Sequence, residues 1–365
     1  MPSVSFLLVD IKYMLPSYVA GSGYNEHDEN LVADANNDIV VVVIQYRLGI
    51  FGFLSGNEVV EGGGALNAGL PLNVNGSSVC VQISKFGGDP SKVTIWGASA
   101  GAGSVLQHVI ANGGNTQPPL FRAAMTSSTF LPSQYYYNDT IPETIYQTVV
   151  NGTGCNTSAT PFACLRNVSA DLLEQMNNYT NTNALYGVFT TVPMVDGKLI
   201  VEPPISTLVR GNVNGEILLA VTNSDEGALF VNTSALYPAA DYIHNLFPLL
   251  PMGDVQKIAE AYANYTIAPG EVVPESRNVT QAIGIHGRMW AFNKAGKRAW
   301  KGLFAIPPGY HGGDVPYYFT SVGPPIDNPS LIASFSQSFI STAISLDPNN
   351  HLDSSDITPQ WNTWV

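Results

Sequence analysis

Charge is scarce in this chain: of 365 residues, only 12% are Asp, Glu, Lys or Arg. Cations are the scarcer sign, with 15 Lys+Arg against 28 Asp+Glu and a formal net charge of −13. Nucleic-acid binding needs clustered cations to neutralise phosphates, so this balance excludes a nucleic-acid partner. Long apolar runs are missing as well. No stretch approaches the ~20 apolar residues of a membrane span, so no transmembrane segment is expected. Near the start, the apolar run at 6–9 gives way to Asp10 and Lys12. It is too short for a signal-peptide core and has no basic leader. The six histidines do not cluster with carboxylates at ligand spacing, so neither a metal nor any other cofactor is expected. Repeats and low-complexity segments are absent, and 34 Gly and 25 Pro without a period indicate many turns.

The chain is nevertheless 45% hydrophobic, too apolar for a disordered polymer. Its length suffices for a sizeable core, and no stretch reads as a linker, so residues 1–365 are expected to form a single domain. The three cysteines are Cys80, Cys155 and Cys164. Cys155 and Cys164 bracket a short polar loop followed by a helix-like run at 165–176. Closing such a loop is worth about 2.5–3 kcal/mol in the chain-entropy model, and a disulfide is expected there. Two unpaired buried thiols are the alternative. Nine Asn-x-Ser/Thr sequons occur, at Asn75, Asn138, Asn151, Asn156, Asn167, Asn178, Asn232, Asn264 and Asn278. Five lie between 138 and 178, flanking the cysteine loop, and suggest a glycosylated surface lobe. Together these features point to a secreted (extracellular) protein whose signal peptide is not present in this chain. Cys80 is left as a lone buried thiol or one that has lost its partner.

The run IVVVVIQ at 39–45 is β-branched throughout and reads as a strand buried on both faces of a parallel sheet. Further strands are expected at 93–96, 123–126, 217–222 and 303–306. Helical patterns fall at 102–111, 141–150, 169–176 and 255–262. Strands alternating with helices predict an α/β fold with a mostly parallel, doubly wound sheet and helical insertions.

The strongest local signal is Gly97-Ala98-Ser99-Ala100-Gly101, directly after one strand and before a helix. In a nucleophile elbow the serine occupies a strained turn whose neighbours must be small, and here every flanking residue is Gly or Ala. The helix start offers the Ala100 N–H to a developing oxyanion. A Gly-rich strand–helix turn with a bystander serine is the alternative. A dinucleotide fingerprint opening at Gly101-x-Gly103 fails, because its third glycine would fall on Leu106. A serine nucleophile requires a base and an orienting acid, and in this fold they follow in the order serine, acid, histidine. Asn223-Ser224-Asp225-Glu226-Gly227 follows one predicted strand, and Gly309-Tyr310-His311-Gly312-Gly313-Asp314 follows another. A solvated acidic turn and a surface histidine are the bland readings of these two strings. The remaining histidines fit worse: His27 precedes the serine, His108, His244 and His286 lie in helical patterns, and His351 is in a polar tail.

Taken together, several strings resemble the type-B carboxylesterase family, which includes cholinesterase-like enzymes and secreted lipases. They are Tyr46-Arg47-Leu48-Gly49, Phe51-Gly52-Phe53-Leu54, Asn67-Ala68-Gly69-Leu70 and Phe86-Gly87-Gly88-Asp89-Pro90, all ahead of the elbow. The resemblance continues through the Cys155–Cys164 loop, Asp225-Glu226-Gly227, His311-Gly312 and Thr358-Pro359-Gln360-Trp361. It implies an α/β-hydrolase fold and a carboxylic ester hydrolase acting by acyl transfer on a small-molecule or lipid ester. Ser99 is then the nucleophile, Glu226 the acid and His311 the base, and Ser127 matches a serine that the family keeps close to the triad.

Four departures from the family pattern stand out. Met14-Leu15-Pro16-Ser17 occupies the place of the His-Gly-Gly-Gly oxyanion loop. Each lost donor would cost about 2.7–4 kcal/mol, so impaired activity is expected. Residues 71–81 read as a loop where the family has a helix. An N-terminal portion with its disulfide is missing, and the chain ends just after Trp364, so both ends are expected to be incomplete. The Glu226–His311 spacing is short, with an abbreviated helix around 284–292. These abrupt replacements read as exon-boundary errors or gene decay, which leaves a catalytically silent binding or adhesion relative, or a non-functional fragment, as the rival to an esterase.

Overall fold

The β-branched and small apolar runs form a twisted parallel sheet. The computed structural model describes residues 4–10, 18–19, 21, 29–70, 82–232, 238–262, 287–319, 323–352 and 357–364. Among them are six strands: β1 (Val4–Asp10), β2 (Ile39–Val43), β3 (Gly88–Ala98), β4 (Ala123–Ser127), β5 (Ile217–Asn223) and β6 (Arg298–Phe304). They pair in parallel in the order β2-β1-β3-β4-β5-β6. Helices before the elbow are α1 (Glu29–Asp34), α2 (Gly49–Phe53) and α3 (Asn57–Glu61). The helix after it is α4 (Ala100–Gly114), and α5 (Thr140–Gly152), α6 (Pro161–Leu165) and α7 (Ala170–Thr182) follow β4. The remainder are α8 (Pro204–Arg210), α9 (Ala239–Leu246), α10 (Met252–Tyr262), α11 (Gly287–Lys294) and α12 (Pro329–Ser345).

Successive residues of the central strands point to opposite faces, as the two-residue period of a strand requires. Ile95, Ala124 and Leu218 pack on one face with Val105 and Val109 of α4, Leu208 of α8 and Phe292 of α11. Their neighbours Trp96, Met125 and Leu219 pack on the other, with Leu31 of α1 and Phe339 and Ile340 of α12. Trp96 lies stacked on Phe319 and Phe339 at centroid distances of 5.1 and 4.8 Å. Such aromatic pairs contribute about 0.5–1.5 kcal/mol each beyond area burial. Both faces are covered, which is why these strands read as continuous apolar runs and not as alternating ones.

Three expectations need correction. The run at 6–9, read only as a failed signal core, is part of β1, paired with both β2 and β3. The strand expected at 303–306 is β6, five residues earlier at its start. Arg298 and Lys301 hid it, and they are tolerated because β6 is the last strand of the sheet, laddered to β5 and covered on its other side only by a short bridge from Trp300 to Thr363. The helix-like run at 165–176 is split, with α6 ending at Leu165 and α7 opening at Ala170. Ser169 caps α7 by accepting the Leu172 N–H at 3.3 Å. Regular helix in α4 stops at Ala111, whose φ/ψ of −53°/143° leaves the helical region, at the end of the expected helix 102–111. Residues 14–17, residues 71–81 with Cys80, and the sequons at Asn75, Asn264 and Asn278 lie outside the described residues.

Candidate active site

All three residues singled out for acyl transfer sit at the carboxyl edge of the sheet, where parallel α/β sheets bind ligands. Ser99 connects β3 to α4 with φ 54° and ψ −115°, a conformation that costs a non-glycine residue about 1–3 kcal/mol. Backbone bonds on every side impose it: Ser99 N–H donates to Ser127 O at 2.9 Å. Its own carbonyl accepts from Gly103 N–H at 2.9 Å and Phe130 N–H at 3.1 Å. The small flanks are sterically required. A Cβ on Gly97 would lie 2.2 Å from the Gly101 carbonyl carbon, and one on Gly103 would lie 2.3 Å from Phe130 O. Ala100 is the first residue of α4 and is fully buried. Its N–H is one of the four at a helix start without an intrahelical acceptor.

Glu226 and His311 arrive on two turns that extend the β5–β6 ladder. Ser224 N–H donates to Phe304 O at 2.9 Å and Asp225 N–H to Gly309 O at 2.8 Å, and Asp225 bridges Tyr310. Gly309, at φ +65°, permits this close approach, since a Cβ there would meet Ser224 Oγ at 2.0 Å. The turns bring His311 Nδ1 within 2.6 Å of Glu226 Oε2, and His311 Nε2 within 2.6 Å of Ser99 Oγ. Phe230 meets the imidazole edge-on at 4.7 Å between centroids. Burial pushes the Glu226 carboxyl up. The charge and hydrogen bond of His311, the Asn223 N–H and the Ser128 hydroxyl together outweigh it, holding Glu226 below the usual glutamate value.

Beside this chain lies a second polar group that sequence reading missed. Buried Asp314 accepts from Asn223 Nδ2 at 2.8 Å and from the Tyr318 hydroxyl. Burial raises its pKa despite both bonds, and burial together with the Asp314 charge holds the Tyr318 phenol well above its ordinary value. Ser127, matched by resemblance to a serine close to the triad, accepts the Ser99 N–H at its carbonyl, and its hydroxyl contacts the Tyr318 hydroxyl at 3.3 Å. Its neighbour Ser128, at φ 52°, is the serine that reaches Glu226. An Asn closing an apolar strand just before an acidic turn was the one signal available in the sequence for this group.

A cavity of about 290 Å³ opens onto His311 and Glu226. Apolar side chains dominate its wall, among them Phe130, Phe189, Met194, Phe230, Leu246 and Phe247. Among the described residues no group of three or more His, Cys, Asp or Glu could hold a metal ion, and no helix is long and apolar enough to cross a membrane. Away from the site, Cys155 and Cys164 form a disulfide with an S–S distance of 2.04 Å, and Cys155 packs with Tyr146 and Val149 of α5.

A parallel sheet wrapped by helices on both faces, with a serine elbow after its third strand, is the α/β-hydrolase fold. The family model for the carboxylesterase family matches residues 16–245, and the chain belongs to that family. Lipase 5 of Diutina rugosa is 35% identical over 240 residues, 61% of this chain and 42% of that protein. The secreted triacylglycerol lipase LIP1 of Gibberella zeae is 31% identical over 224 residues, 59% of this chain and 38% of the relative. The chain thus spans about two fifths of the length of these curated relatives. Among solved structures, Aspergillus niger EstA superposes with a TM-score of 0.81 at 25% identity, covering 99% of this chain and 74% of EstA.

Proposed function

We propose that the protein is a carboxylic ester hydrolase working by acyl transfer, in which Ser99, His311 and Glu226 act as one unit. Ser99 Oγ attacks the ester carbonyl while His311 Nε2 takes its proton. The tetrahedral oxyanion accepts the Ala100 N–H. Collapse expels the alkoxide, which receives the proton from His311 and leaves an acyl-Ser99 ester. Water, deprotonated by the same imidazole, then releases the carboxylic acid. Glu226 holds the tautomer with Nδ1–H directed to itself and stabilises the imidazolium as it forms. The observation that carries this reading is the pair of 2.6 Å contacts that link Ser99, His311 and Glu226 at the mouth of an apolar cavity. That wall suits the hydrocarbon part of a small-molecule or lipid ester. No cofactor is required.

A catalytically silent relative is the second reading, favoured by Met14-Leu15-Pro16-Ser17 in the place of the glycine donors. Fewer oxyanion donors would lower the rate by roughly 10²–10³ for each one lost. Labelling with a fluorophosphonate and p-nitrophenyl ester turnover separate the two. Labelling and turnover that vanish in Ser99→Ala support the esterase. A folded protein that does neither supports the silent relative, and equal turnover by Ser99→Ala removes Ser99 from the mechanism.

Secretion and N-glycosylation belong to the same proposal. Two of the relatives carry names that call them secreted. The asparagines at 138, 151, 156, 167 and 178 are all exposed, around the disulfide and the helices α5 to α7.

A further inference from the structure

Asn223 is buried at the end of β5, 1% exposed, and uses its donors on three different elements of the site. Its backbone N–H donates to Glu226 Oε1 at 2.7 Å. Of its two side-chain protons, one goes to Ser128 Oγ at 2.6 Å and the other to Asp314 Oδ1 at 2.8 Å. Ser128 Oγ, its lone pair engaged by Asn223, stands beside Glu226, where its hydroxyl helps to hold the carboxyl below its usual value. The same oxygen also receives the Gly312 N–H at 3.5 Å, on the residue next to His311. Asp314 is three residues beyond His311 and closes the turn that carries it, with Val315 N–H donating to Gly312 O at 3.1 Å. Asn223 therefore holds the Glu226 turn directly through its backbone N–H, while its side-chain amide ties Ser128, beside Glu226, to Asp314 in the turn that carries His311.

We infer that Asn223 is a positioning residue that locks the Glu226 turn to the His311 turn and so sets the Ser99–His311–Glu226 alignment. The inference rests on the acyl-transfer reading only for its kinetic consequence. The physical reason is directional. Both acceptors, Ser128 Oγ and Asp314 Oδ1, need donors, and a primary amide supplies two from one nitrogen. Misplacing reacting groups by about 1 Å costs roughly 10²-fold in rate. Removing the amide also leaves the Asp314 carboxylate buried with one donor fewer.

The test pairs Asn223→Ala with Ser128→Gly, whose fold is secured because glycine suits the φ of 52° at that position. Three readouts are taken: kcat and KM for a p-nitrophenyl ester, the rate of fluorophosphonate labelling, and the low-field proton NMR signal of His311 Nδ1–H against Glu226. The signal should be present in the wild type, assigned by its loss in Glu226→Gln, and lost or shifted upfield in both variants. Asn223→Ala should lower kcat roughly 10²-fold with KM within about twofold. Ser128→Gly should lower kcat by a smaller factor, and the double variant should lose less than the product of the two, because both act on Glu226. A wild-type signal that is absent, or one unmoved in both variants, overturns the inference, as do multiplicative losses. A wild-type signal that both variants displace, in a protein that hydrolyses no ester, supports the positioning role and sinks the esterase reading instead.

Discussion

His108 offers a test of the buried core beside the elbow that is independent of catalysis. It lies in α4 and is 7% exposed. Burial lowers its pKa to about 4, only partly offset by a hydrogen bond with the Leu70 backbone. The folded protein therefore holds the imidazole neutral, whereas the unfolded chain takes up a proton below its ordinary value of 6.5. The folded pKa is the depressed one, so this contribution to stability is complete above pH 6.5, falls as pH drops towards 4, and loses nothing further below that. Over the whole window the loss is about 3 kcal/mol, and between pH 7 and pH 5 it is about 2 kcal/mol. With an unfolding entropy of ~2.1 cal/mol/K per residue, 2 kcal/mol corresponds to about 2–3 °C in Tm for a chain of this length. Calorimetry of wild type and His108→Gln at both pH values isolates it, because every other titrating group is shared. Glutamine keeps a donor for Leu70 and does not titrate. The wild type should lose about 2–3 °C more than the variant on acidification. Parallel losses would refute a neutral His108 in the native core.

Further expectations concern the site and the lobe around the disulfide. Glu226→Gln preserves shape but removes the charge that stabilises the imidazolium, so kcat should fall by roughly 10²–10⁴ with little change in melting, measured with a short-chain p-nitrophenyl ester. Retained turnover would take Glu226 out of the triad. Opening the Cys155–Cys164 bridge in Cys155→Ser/Cys164→Ser should cost about 2.5 kcal/mol in denaturant unfolding, from the entropy of a loop with a sequence separation of 9. No change in midpoint would show that the helices α5 to α7 unfold apart from the rest. Protein secreted from a eukaryotic host should shift to lower mass on treatment with peptide-N-glycosidase. Intact mass equal to that of the bare chain would remove the glycan proposal.

The strands of this protein were legible where the run is apolar throughout, as at β2, β4 and β5, and obscure where charged residues interrupt it, as at β6. In β6, Arg298 is exposed and donates to Asp347 Oδ2 at 3.1 Å, an arrangement a central strand would not allow. The three residues of the serine–carboxylate–histidine chain were named from chain order, small neighbours and family strings, all of which are local properties. Their proximity is not local: Ser99 and His311 are 212 residues apart and meet only because β3 and β6 lie in one sheet. The supporting residues were hidden for a related reason. Choosing between Ser127 and Ser128 depends on which side of β4's last residue each hydroxyl leaves. β4 ends at Ser127, and the turn at Ser128, with its φ of 52°, sends the second hydroxyl a different way. Asn223 and Asp314 gain meaning from each other across 91 residues, so neither looks unusual alone.

By itself, then, the sequence determined most of the central elements, the elbow and the chemical types present, because these follow from periodicity, turn sterics and acid–base character within short windows. Only the tertiary structure decided which donors face which acceptors, and so which serine lies beside Glu226 and which buried carboxylate pairs with Asn223. Hydrogen bonds are directional and span distant segments, and a pattern of residues along one chain carries no record of direction between them.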